Sequence, residues 1–175
     1  MQNYLVVSAL VENSSEIIRK LSKLTKSSGC NIVDSRFKLL GHELSLMLFL
    51  TGNWDAIAKI EDMLRIFAQE HDVQILTRRT TLDKPQGDSM PYAVDVVGLD
   101  HPGILLDITE FMSTNNLFIQ EMASNTYEAS LTGAKMFSLH MMVNIPSDTS
   151  IASIRGDFIE FCDRLNLDAI MEPVK

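Results

Sequence analysis

The hydrophobic pattern changes period several times along the chain, and it does so twice in the same order. Residues 3–11, Asn3-Tyr4-Leu5-Val6-Val7-Ser8-Ala9-Leu10-Val11, read as a β-branched strand. Ile17, Ile18, Leu21 and Leu24 then recur at helical spacing until Gly29, a residue suited to end a helix. Residues 30–39 and 43–51 return to alternation around Gly41-His42, which predicts a hairpin. Asn53 stands as a helix cap ahead of Ile57, Ile60, Met63, Leu64 and Phe67, and residues 73–79 close the series as a strand. Past residue 91 the order recurs. It runs as strand 92–98, helix 103–115, strands 117–126 and 135–144, helix 149–164 and strand 167–172.

The recurrence extends to single residues. Leu44, Leu46, Leu48 and Leu50 align with Phe137, Leu139, Met141 and Val143, each 93 positions later; Ile57, Ile60, Leu64 and Phe67 align with Ile151, Ile154, Phe158 and Phe161, each 94 later. A near-constant offset over two elements marks a duplicated unit. The expected fold is α+β: module 1 over residues 1–80, a linker over 81–91 rich in Thr, Asp, Gly, Ser and Pro, and module 2 over 92–175. Each module is a βαββαβ unit, a four-stranded antiparallel sheet with two helices on one face. The face away from the helices then carries Ser45, Met47, Phe49 and Thr51 in one half and Ser138, His140 and Met142 in the other. Met47, Phe49 and Met142 are too apolar to be left in water. Either neighbouring side chains or a loop cover them, or the face meets another molecule.

Composition narrows the function. Hydrophobic residues make up 46% and charged residues 22% of 175, enough apolar mass for real cores. The net charge of −8 works against direct DNA binding, which relies on neutralising phosphates with Lys and Arg, and no helix-turn-helix pattern occurs. No apolar run is long enough to span a bilayer, and Met1-Gln2-Asn3-Tyr4 lacks the basic start of a signal peptide. Two cysteines without metal-type pairing, Cys30 and Cys162, fit a reducing cytoplasm. The four histidines show no metal-ligand spacing, and the serines form no Ser-His-Asp pattern. No phosphate loop or dinucleotide fingerprint is present, so neither catalysis nor a metal is expected. The helix basic cluster Arg19, Lys20, Lys23 and Lys26 fits a solvated face or a docking surface.

The stretch with most chemistry is Leu99-Asp100-His101-Pro102-Gly103-Ile104, a predicted strand-to-helix turn. Asp100 is placed to accept from the first free helical N–H groups, and Pro102 suits the first helical position. Gly103 permits close approach to the backbone, where the N–H groups of a helix start attract anions. The same spacing also fits a plain capped helix.

A duplicated βαββαβ module with Gly98-Leu99-Asp100-His101-Pro102-Gly103-Ile104 at its turn resembles the ACT domain, a ferredoxin-like module that binds amino acids. Two such modules resemble the glycine cleavage system transcriptional repressor family. Gly29-Cys30-Asn31-Ile32-Val33-Asp34-Ser35-Arg36, Leu50-Thr51-Gly52-Asn53-Trp54-Asp55-Ala56-Ile57 and Arg78-Arg79-Thr80-Thr81 add local likeness. The resemblance implies a non-catalytic, amino-acid-responsive negative regulator of transcription. It implies action through a protein partner, a transcriptional activator, without direct DNA binding, and a homo-oligomeric state. Two other readings stay open, a regulatory subunit of an amino-acid enzyme and a ligand-free dimerisation module.

The resemblance also implies a site between the first turn of one module and the second strand of its neighbour. The first half keeps the strand signature in Cys30, Asn31 and Ile32, while Phe118 stands in the second half where Asn31 stands in the first. The second half keeps Asp100, His101, Pro102 and Gly103, with Ile104 and Leu105 following. The first half has Glu12-Asn13-Ser14-Ser15 instead. One composite site for glycine or a similar amino acid is expected. Backbone N–H groups near Gly103 would take the carboxylate, Asp100 the ammonium, and Asn31 would offer a donor and an acceptor. Complete loss of both sites is the alternative.

Overall fold

The structure, a computed structural model, describes residues 2–12, 15–82 and 89–174. It divides into two compact units, Met1–Lys84 and Pro85–Lys175. The first contains β1 (Asn3–Glu12), α1 (Ser15–Ser28), β2 (Asn31–Leu40), β3 (Glu43–Gly52), α2 (Trp54–His71) and β4 (Gln74–Thr80). The second contains β5 (Ser89–Leu99), α3 (Ile104–Thr114), β6 (Phe118–Glu128), β7 (Lys135–Pro146), α4 (Ile151–Arg164) and β8 (Leu167–Pro173). Both sheets are antiparallel, with orders β2-β3-β1-β4 and β6-β7-β5-β8, so the expected βαββαβ topology holds in each unit. Strand β5 begins at Ser89, not at residue 92, because Ser89, Met90 and Pro91 pair with Pro146, Ile145 and Asn144. Pro91 is compatible with the strand, since a proline forfeits only its own donor. Residues 83–88 of the expected linker lie outside the described residues.

Each strand alternation buries one face under the helices. Leu44, Leu46, Leu48 and Leu50 are at most 6% exposed, and so are their counterparts Phe137, Leu139, Met141 and Val143. Ile57, Ile60, Leu64 and Phe67 of α2 complete the first core. In α4, Ile154 and Phe158 are buried, while Ile151 and Phe161 pack against the core from its margin. Phe158 sits between Phe111 and Phe161, with ring centroids 5.2 and 6.3 Å away. Burying such side chains is the main favourable term in folding either unit.

The duplication reaches the backbone. Leu5 pairs with Leu50, and Tyr92 pairs with Val143, so equivalent residues lie 87 apart in β1 and β5 but 93 apart in β3 and β7. The difference is the hairpin. Leu40 pairs directly with Glu43, whereas Tyr127 pairs with Met136 across a longer connection. Strands β2 and β6 shift register at the same place, between Ile32 and Asp34 and between Ile119 and Glu121. Equivalent helix ends also take positive φ, Gly29 and Asn116 after the first helix of each unit and Asp72 and Asn166 after the second. A left-handed residue there lets the chain leave the helix abruptly, which Asn and Asp tolerate better than other L residues.

Candidate functional site

The 100–104 turn leaves β5 at Leu99, and the Asp100 N–H donates to the Lys135 carbonyl at 2.9 Å, holding the turn to the start of β7. Two expectations need correction here. Asp100 does not cap α3, and Pro102 is not its first helical residue. The N-cap is Gly103 at φ +100°, and the cap makes no side-chain hydrogen bond. Pro102 fixes its own φ and Gly103 adopts a conformation that other residues resist, so the chain turns for two residues more before α3 starts. Asp100, His101, Pro102 and Gly103 are all exposed, and His101 Nδ1 lies 3.2 Å from the Pro102 carbonyl. Ile104 is buried and anchors the helix start, while Leu105 remains 38% exposed.

The missing cap matters chemically. The first N–H groups of a helix have no partner inside the helix. At α2 the Asn53 side chain accepts from the Ala56 N–H at 2.8 Å, as its position in the sequence predicts. At α3 nothing equivalent comes from the cap residue, and the first acidic residue, Asp107, enters at the fourth helical position. A Cβ on Gly103 would meet no heavy atom within 4 Å, so space in front of this helix start is open. The arrangement suits a small anionic group.

The equivalent turn in the first unit is built otherwise. By the offset of 87, Ser15 and Glu16 stand where Pro102 and Gly103 stand, and they already belong to α1. Glu16 accepts from Lys20 at 3.1 Å, and that hydrogen bond holds its carboxyl below the usual range. A carboxylate ligand would meet a negative side chain at this position. Asn13 and Ser14 of that turn lie outside the described residues.

The other predicted group opens β2. Cys30 is buried, and its N–H donates to Ser28 Oγ at 3.3 Å. Gly52 lies so near that an added Cβ would stand 3.1 Å from Cys30 Sγ. Asn31 is exposed and pairs with Thr51; Ile32, 37% exposed, pairs with Leu50. The second unit places Phe118 against Asn144 at the matching position, 46% exposed. Asp100 to Leu105 therefore form one group in the second unit, and Cys30 to Ile32 another in the first.

The remaining candidates behave as core or surface. Burial pushes the Cys162 thiol up to about 12, with Asp163 adding to the effect, so it stays a neutral filler rather than a nucleophile. Lys20 Nζ lies 3.1 Å from His71 Nε2, and His71 stacks on Phe67 at 4.1 Å. Among the described residues no group of three or more His, Cys, Asp or Glu is placed to hold a metal. One contact escaped the sequence reading: His140 Nδ1 donates to Asp95 at 2.7 Å across β5 and β7. Only the strand register brings these residues, 45 apart in sequence, together. A second is Arg79, which grips Glu61 through two nitrogens and lies 5.7 Å from the Trp54 ring.

Two antiparallel βαββαβ units with this turn define a tandem ACT-domain protein, and the ACT domain family model matches residues 3–77. Two curated relatives, the glycine cleavage system transcriptional repressors of Escherichia coli (strain K12) and Shigella flexneri, are each 32% identical over 167 residues. The match covers 94% of this chain and 87% of each relative. The chain belongs to this repressor family. In solved structures, the fold is shared by a protein assigned to the glycine cleavage system transcriptional repressors (TM-score 0.74, 21% identity, covering 100% of this chain and 99% of that one). It is shared equally by an unknown protein from Galdieria sulphuraria (TM-score 0.78, 22% identity, both chains covered completely). The chain is a non-catalytic regulatory protein, like its curated relatives. Among the described residues no helix is long and apolar enough to cross a membrane.

Proposed function

We propose that this chain is an amino-acid-responsive negative regulator of transcription that acts on a protein partner, a transcriptional activator, without reading DNA itself. The observation that carries this reading is the likeness over 94% of the chain to two transcriptional repressors, in a sequence whose charge is −8. A repressor with this charge has a protein as its natural target, because a duplex would repel most of its surface. We place the protein in the cytoplasm as a homo-oligomer.

The proposed effector is glycine or a similarly small amino acid. The Gly103 turn supports this with unfilled space before an uncapped helix start, where the N–H groups near Ile104 and Leu105 would take the carboxylate. Asp100 would take the ammonium, and Asn31 would contribute a donor and an acceptor. Capture of partners from lysate on the tagged chain, with and without glycine, tests the partner half of the reading. Recovery of a DNA-binding activator supports it, and recovery of a metabolic enzyme alone overturns it. Titration calorimetry with a panel of amino acids tests the effector half. We expect at most one site per chain, and indifference to every amino acid in the panel would sink it. Asp100→Ala and Asn31→Ala should each weaken binding by about 1–3 kcal/mol, the scale of a lost hydrogen bond to a charged group, and Phe118→Ala by much less. A gel shift at submicromolar protein that discriminates between DNA sequences would overturn the absence of direct DNA reading.

A further inference from the structure

Each sheet has one face without helices, and the two faces carry opposite charge. Strand register sets which residues share a face. In the first unit Val6, Met47 and Phe49 form an apolar centre there, and Arg36, Lys38 and Arg78 stand opposite Met47, Ser45 and Val6. A hollow of about 170 Å³ opens at this centre, lined in part by Val6, Met47, Phe49 and Arg36. In the second unit the matching face carries Asp95, Glu121, Asp168 and Glu172 around Met142 and Ile170. The asymmetry extends to the whole units. Met1–Lys84 has 11 Lys and Arg against 10 Asp and Glu; Pro85–Lys175 has 4 against 13, so the nets are +1 and −9 and together give −8.

We propose that the helix-free face of the first unit docks on the helix-free face of the second unit in another copy of this chain. This deepens, and rests on, the homo-oligomer part of the proposed function. Pairing of like faces would set three basic side chains against their own copies, or four carboxylates against theirs, a repulsive arrangement. Pairing of unlike faces sets basic against acidic and also covers apolar side chains held in water. Met47 is 48% exposed, Ile170 56% and Leu76, on the first face opposite Ser8, 76%. Each copy offers one face of each kind, so a two-fold exchange satisfies both at once. Four strands about 4.8 Å apart and about seven residues long make a face of roughly 450 Å². One such contact is small for a stable dimer, and two reach the usual interface size.

Sedimentation equilibrium of the full chain, at about 50 mM and about 500 mM salt, tests the proposal. We expect a dimer whose dissociation constant rises about tenfold or more at high salt. The double variants Lys38→Glu/Arg78→Glu and Asp168→Lys/Glu172→Lys alter only exposed positions, and circular dichroism will show that both fold. Each should be monomeric where the unaltered chain is dimeric, and mixing the two should restore a heterodimer, because the reversed faces complement each other. Leu76→Ser and Ile170→Ser should weaken the dimer without changing its salt dependence. A dimer that survives both charge reversals sinks the face-to-face contact and leaves the homo-oligomer standing. A monomeric unaltered chain sinks both. Failure of the mixture to form a heterodimer overturns the pairing of unlike faces.

Discussion

The two units share strand order, register shifts and left-handed helix ends, yet they differ in the first turn and in charge. In the first unit α1 begins at Ser15, and Glu16 stands where the second unit has Gly103. In the second unit the turn is prolonged by Pro102 and Gly103 and the helix start is left uncapped. The features that agree are those on which a four-stranded sheet with two helices depends. The features that differ lie at a surface turn and on an exposed face, where packing places little constraint on residue type. Duplication has kept the scaffold in both units and let the chemistry diverge.

The largest expected effect separates the two cores. Phe158→Ala removes a fully buried ring held between Phe111 and Phe161, and should cost the second unit about 3–5 kcal/mol. Trp54 is the sole tryptophan and lies in the first unit, so its fluorescence reports that unit alone. Far-UV circular dichroism should then show an early transition that Trp54 fluorescence does not follow. Coincident transitions would show the units to unfold together.

Gly98 and Val11 are equivalent by the offset of 87, but only one has room for a side chain. A Cβ on Gly98 would collide with Leu167 Cδ2 and stand 3.1 Å from the Asn166 carbonyl oxygen. Gly98→Val should destabilise the second unit by about 1–3 kcal/mol, measured by urea denaturation. No loss would show that β8 moves aside easily.

Cys162 gives that unit an alkaline limit. Its folded pKa of about 12 lies above the ordinary value of 9.0, so between these pH values the folded state holds a proton that the unfolded state has released. Stability of the second unit should therefore fall as pH rises from 9.0 towards about 12, and remain unaffected by this thiol below 9.0. Cys162→Val should flatten that slope. An unchanged slope would assign the alkaline loss to other groups. The smallest effect is expected at the exposed cross-strand pair: Asp95→Asn should change stability by less than about 1 kcal/mol in thermal melts.

Much of the scaffold was legible in the amino acids. Period-two runs such as Leu44 to Leu50 and period-3.6 runs such as Ile57 to Phe67 each match one buried face, and the Asn53 cap forms where its side chain allows it. The turn was less legible. Asp100 and Pro102 have the residue types of a cap and a first helical position, but the +100° φ of Gly103 moves both outside the helix. Sequence alone does not distinguish those registers, since Asp-x-Pro-Gly satisfies either one. The β5 start was misplaced for a related reason. Ser89 and Pro91 read as linker composition, while pairing with β7 holds them in the strand.

What the sequence determined by itself is local. Side-chain period, turn residues and the internal repeat act over a few residues, or by comparison of one half with the other, and they specify two copies of one βαββαβ module. What the tertiary structure decided depends on pairing between distant segments. The His140–Asp95 contact, the grip of Arg79 on Glu61, the opposite charge of the two helix-free faces and the close fit of Gly98 against Leu167 all need a strand register or a packed helix to exist. Those arrangements follow from burying apolar surface across the whole unit, so no single stretch of the chain carries them.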